Sequence, residues 1–185
     1  MTAAQRTRKL MYRVLPAACI LLLLAADCAF PIALPNEMQQ SSIIATVMEQ
    51  AQITVPGTIV FNVTNVTQDT RISGLGVSAT SVCLESGKAL RIELKADAAD
   101  FTPPSGGAPT WVASDVSWEA GSWTGGAGVA GTLSASAYNK VAESSVNASE
   151  LSNSDMAFTI LARPAIKYAG QYTVTGTWRF SSFTP

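Results

Sequence analysis

Apolar and polar residues alternate along much of the chain with a period of two, and no stretch shows a convincing amphipathic helical period. The alternation is clearest in KALRIELKAD, residues 88–97. Leu90, Ile92, Leu94 and Ala96 fall on one face, and Arg91, Glu93, Lys95 and Asp97 on the other. Successive side chains of a strand point to opposite faces, so this pattern predicts a strand with one buried and one wet side. Helical spacing would smear the four charges around the axis. The chain closes on AGQYTVTGTWRFSSFTP, residues 169–185, where Tyr172, Val174, Gly176, Trp178 and Phe180 alternate with Thr173, Thr175, Thr177, Arg179 and Ser181. An unpaired edge of that length invites association, so a closing strand over 171–183 is expected to be paired. Tyr172, Val174 and Trp178 would then lie in the core, with Gly176 leaving room for a large neighbour.

Residues 42–55 and 58–66 read as the first strands, separated by the turn signal Pro56-Gly57. In the second of them Ile59, Phe61 and Val63 share a face. Residues 101–132 hold seven glycines and three of the four tryptophans, which predicts long loops around a short strand at 115–119. A strand pair or a turn of helix follows at 132–144, then a polar loop at 145–154. A strand at 156–164 points Met156, Phe158 and Ile160 inward. Short strands with frequent turn signals predict an all-β fold, an antiparallel β-sandwich of immunoglobulin-like or jelly-roll Greek-key type.

The N-terminus follows another logic. Arg6, Arg8, Lys9 and Arg13 precede the apolar run VLPAACILLLLAA, residues 14–26, as in a secretory signal peptide. The run falls short of the about 20 apolar residues of a membrane-spanning helix, so no transmembrane anchor is expected. Ala26 and Cys28 supply small residues for cleavage after residue 28. Cys28 is also a candidate for lipidation, although Asp27 before it fits that processing poorly. The expected organisation is a signal peptide over 1–28, a flexible leader over 29–41 and one β-sandwich domain over 42–185. This places the protein outside the cytoplasm, secreted or at the cell surface, with periplasmic transit in a bacterial host. The mature chain of 157 residues then carries 8 basic and 12 acidic side chains, net −4. With no basic cluster, nucleic acid is not an expected partner. Cys83 is left alone, expected to be buried and inert rather than paired between chains.

Catalytic chemistry is hard to assemble from these residues. There is no histidine, the commonest general base and metal ligand, and one mature cysteine cannot build a zinc site. GGAGVAG, residues 125–131, lacks the lysine of a phosphate-binding loop. Glu93, Asp97, Asp115 and Glu119 offer carboxylates for glycoside hydrolysis, but acids on the wet face of a strand mostly serve solvation. Asp97 and Asp100 lack a calcium-loop pattern. No enzyme, cofactor or metal is expected. Asn62, Asn65 and Asn147 sit in glycosylation triplets, usable only in a suitable host.

Binding is the better-supported chemistry. Trp111, Trp118 and Trp123 lie within thirteen residues of a loop-rich stretch, and exposed indoles there would stack on sugar rings. The competing reading is that the rings fill the ends of the sandwich, since aromatics supply large buried area. Val116 and Trp118 share a strand face, which places Trp118 in the core. Trp123, beside glycines, is the best exposed candidate. Self-association is the other possibility. Phe30, Ile32 and Leu34 alternate in the leader as a donated strand would need, although Pro31 and Pro35 each lack a backbone donor.

Two resemblances bear on function. Ala45-Thr46-Val47 near the start and Ala169-Gly170-Gln171-Tyr172 near the end resemble the opening and closing strands of secreted fimbrial and spore-coat-U-like β-sandwich proteins, without the cysteine pair usual in the latter. Tyr172, Thr177, Trp178, Phe180 and Pro185 are similar to the closing motif of WxL surface domains, although no Trp-x-Leu tripeptide is present. Both imply a surface protein. The expected function is a non-catalytic structural or adhesive subunit whose partner is a second copy of itself. The alternative is a module that binds carbohydrate or cell-wall polysaccharide through Trp111, Trp118 and Trp123.

Overall fold

The strand predicted over 88–97 forms as β3 (Ala89–Ala96), at the interior of an antiparallel sheet. Leu90, Ile92, Leu94 and Ala96 are all buried, as the alternation requires. Glu93 departs from it: on the nominally wet face it is only 7 % exposed, because Arg179 lies against it with Nε 2.7 Å from its carboxylate.

The computed structural model describes residues 42–185; the expected signal peptide and leader, with Phe30, Ile32 and Leu34, lie outside the described residues. The other strands are β1 (Gln50–Thr54), β2 (Thr70–Cys83), β4 (Val116–Trp118), β5 (Gly126–Gly128), β6 (Gly131–Thr132), β7 (Asn139–Ser144), β8 (Leu151–Ile160) and β9 (Gly176–Phe183). They make two antiparallel sheets, ordered β1-β2-β8-β4-β6 and β5-β7-β3-β9. Inward side chains of both sheets share one core, including Val77, Ile92, Leu94, Val141, Leu151, Met156 and Phe158. The fold is an all-β sandwich.

Several expectations are corrected. The strand over 42–55 shortens to β1, and residues 58–66 join no ladder, although Ile59, Phe61 and Val63 still pack on the core while Val60 stays exposed. The longest strand, β2, has no counterpart in the simple alternation. Gly74 and Gly76 interrupt it, and its register against β8 shifts on either side of Leu75, so its apolar residues do not keep one parity. The polar loop over 145–154 ends early, because Leu151 and Asn153 already belong to β8. The closing strand begins at Gly176, not at 171. Before it, Thr173 makes a single bridge to Thr102, and Tyr172, Val174 and Trp178 are only half-buried. Gly176 faces Leu94 at ordinary contact distance and accommodates no tryptophan. The hydroxyl of Tyr172 donates to the Tyr168 carbonyl, 2.9 Å away and four residues upstream, as in the tyrosine corners of Greek-key sandwiches.

Candidate functional site

The end strands of the two sheets, β1 and β9, flank one seam of the sandwich. Near the start of β1 that seam is clasped. Glu49 accepts a hydrogen bond from the Ser182 hydroxyl on β9 at 2.7 Å and another from the Glu85 amide at 3.0 Å, and it pairs with Lys88 at 3.2 Å. The Ser182 hydroxyl first, then the Glu85 amide, and less strongly Lys88, hold the Glu49 carboxyl down at about 2, against the opposing effect of burial.

At the other end the seam opens. After Thr54 the chain runs through Pro56-Gly57 into the unladdered stretch 58–66, and opposite it runs 166–175, where Thr173 exchanges two backbone bonds with Thr102 and the Thr175 carbonyl accepts from the Asp97 amide. Between them lies a cleft of about 1130 Å³. Its floor is core: Leu94, Phe101, Trp111, Leu133, Phe158 and Ile160. Its flanks carry half-buried Ile59, Phe61 and Val63 on one side and Tyr172, Val174 and Trp178 on the other. Val60 and Tyr168, 53 % and 56 % exposed, are also on its walls. The cleft thus has an apolar floor and two backbone stretches with few ladder bonds, one of which continues into β9, an edge strand paired only through β3 among the described residues. Backbone groups in such a position seek partners, and an added strand supplies them.

Two of the three candidate tryptophans lie in the core. Trp111 and Trp118 are 4 % and 3 % exposed, so neither presents a ring face to a ligand. Trp111 donates from Nε1 to the Leu161 carbonyl at 2.9 Å and meets Tyr172 edge-on, with ring centroids 5.1 Å apart. Trp118 donates to the Val129 carbonyl at 2.9 Å and covers Gly131, where a Cβ would collide with the indole. Trp123 is half-buried, with Nε1 2.9 Å from the Ala120 carbonyl and its ring against Gly128. A large aromatic with one polar atom is most stable buried with that atom paired, and the nearby glycines give the rings their space.

The candidate carboxylates are likewise engaged, each with a different partner. Glu93 pairs with Arg179, Asp115 with Arg163, and Glu119 with Arg71, which holds the Glu119 carboxyl below its ordinary range; Asp97 accepts from Thr177. Among the described residues no three His, Cys, Asp or Glu side chains gather as a metal site would require. Cys83 is a free, half-buried thiol. Two of the candidate glycosylation asparagines have structural work: Asn65 accepts from the Thr67 amide, and Asn147 from the Gly87 amide. No helix among the described residues is long and apolar enough to cross a membrane. The open seam had a signal in the sequence, the alternating stretch 58–66, but alternation cannot reveal whether a strand finds a partner.

No protein-family model matches the chain, and no curated protein matches it.

Proposed function

We propose that this chain is a non-catalytic structural subunit of the cell surface that associates with copies of itself by strand addition into the open seam. The observation that carries this reading is the cleft itself, which lies over buried core between two backbone stretches with few ladder partners and is flanked by half-buried Ile59, Phe61, Val63, Tyr172, Val174 and Trp178. A strand laid there would bond to backbone on either side while alternate side chains fill the floor, the arrangement by which extended segments recognise sheet edges.

The leader of a second copy is the segment this chain offers. Phe30, Ile32 and Leu34 are spaced two apart, so all three would enter the floor together. Pro31 and Pro35 have the same parity, so both missing N–H groups face one lateral edge. The other edge of the leader keeps its donors and is the one suited to pair along the backbone that continues into β9. Proline is tolerated in a strand where its N–H side needs no partner. Glu49 clasps the far end of the seam and keeps the two sheets together while the near end stays available.

A synthetic peptide of residues 29–41, added to protein lacking that segment, tests the site directly. One peptide is expected to bind per chain by calorimetry, and Ile32→Asp in the peptide is expected to abolish binding. Equal binding of both peptides, or of neither, contradicts strand addition by the leader.

A further inference from the structure

Between the leader and the Glu49 clasp run residues 42–48, SIIATVM. They carry no charge, join no ladder and are exposed at every position. Ile43, Ile44, Val47 and Met48 are exposed by 95 %, 83 %, 72 % and 81 %. Single apolar side chains at a surface need no explanation, but a contiguous apolar patch marks a contact. No other stretch of six described residues exposes as many large apolar side chains.

The pattern of the segment bears on what it contacts. In an extended chain Ile43 and Val47 fall on one side and Ile44 and Met48 on the other, so neither side is a wet face. β3, by contrast, has one apolar and one charged face. An extended segment that is apolar on both sides is suited to lie between two bodies.

Connectivity says which two. Glu49 is held by the Ser182 hydroxyl and by Lys88, while the leader ends at residue 41. Seven residues reach at most about 25 Å. With the leader of one copy in the cleft of the next, residues 42–48 must cross from their own clasp to that cleft. They therefore run along the junction of the two copies. On the walls of that cleft Val60 and Tyr168 are more than half exposed.

We propose that residues 43–48 complete the donated segment, with Ile43, Ile44, Val47 and Met48 packing at the mouth of a second copy's cleft against Val60 and Tyr168. This inference rests on strand addition by the leader and adds a contact outside the cleft floor. The two prolines of the leader cost it backbone donors. Residues 43–48 contain no proline, and four of the six are β-branched, which suits extended chain. They strengthen a junction that the leader begins.

Calorimetry with synthetic peptides 29–41 and 29–48, added to protein lacking residues 29–41, tests the contact. The longer peptide is expected to bind about tenfold more tightly or better, as burial of one or two large apolar side chains supplies. The gain is expected to vanish when Ile43, Ile44, Val47 and Met48 of the peptide are replaced by Ser. It is also expected to vanish in protein carrying Val60→Ser and Tyr168→Ser, to which the shorter peptide binds unchanged. That double variant is expected to fold, because both side chains are largely exposed and Tyr168 receives the Tyr172 hydrogen bond through its main-chain carbonyl. Equal affinity of the two peptides overturns this inference and leaves donation by the leader standing. A gain that survives the peptide replacement, or that persists in a folded double variant, places the contact elsewhere and overturns it as well. If neither peptide binds, strand addition itself fails and this inference falls with it.

Discussion

At the residue scale, the tryptophans show how space and polarity are settled together. Trp118 is buried because Gly131 leaves room for its indole and the Val129 carbonyl accepts its N–H. Trp118→Phe keeps most of the ring but orphans that carbonyl, and is expected to cost about 1–3 kcal/mol by chemical denaturation. At Gly128 a Cβ would collide with the Ala120 carbonyl and with the Trp123 ring. Gly128→Ala is therefore expected to destabilise by about 1–3 kcal/mol, since neither the backbone nor a packed indole yields easily. It is also expected to loosen Trp123, read as a red shift of its fluorescence. Truncating Phe158, 1 % exposed between the sheets, removes far more contact, and Phe158→Ala is expected to cost about 3–5 kcal/mol.

At the element scale, the clasp on Glu49 ties the start of β1 to β9 and to the turn before β3. Its carboxyl is lowered to about 2 in the folded protein, below its value in an unfolded chain. The stabilisation is therefore present in full above the unfolded pKa, near 4.3, and is lost as pH falls towards 2. Glu49→Gln is expected to lower Tm at pH 7, with the difference from the parent protein vanishing by about pH 2; a constant difference across that window contradicts the clasp. Elements of this kind were unevenly legible in the sequence. β3 could be read residue by residue, because one face is apolar and the other charged, and Met156, Phe158 and Ile160 of β8 could be read for the same reason. β2 could not: it is central, but Gly74, Gly76 and its bulges break the parity that a reader follows. The stretch 58–66 misled in the opposite sense. Its alternation is real and orients Ile59, Phe61 and Val63 inward, yet pairing is a property of the neighbour as much as of the strand. The tryptophan cluster left both a platform and a core open; three-dimensional packing places Trp111 and Trp118 in the core and leaves Trp123 half-buried.

At the scale of the whole molecule, the sandwich is well closed where β2, β8 and β4 face β3 and β7, and incompletely closed at the β1–β9 seam. Strand addition would complete it and link one subunit to the next, consistent with a weakly charged mature chain that has little net repulsion to oppose assembly. The most direct measurement is size-exclusion chromatography with light scattering on the chain from residue 29 onward, with and without residues 29–41. Strand donation predicts large assemblies from the first and monomers from the second, with assemblies likewise lost in Ile32→Asp. A stable monomer in both, or assemblies that survive the deletion, would contradict it.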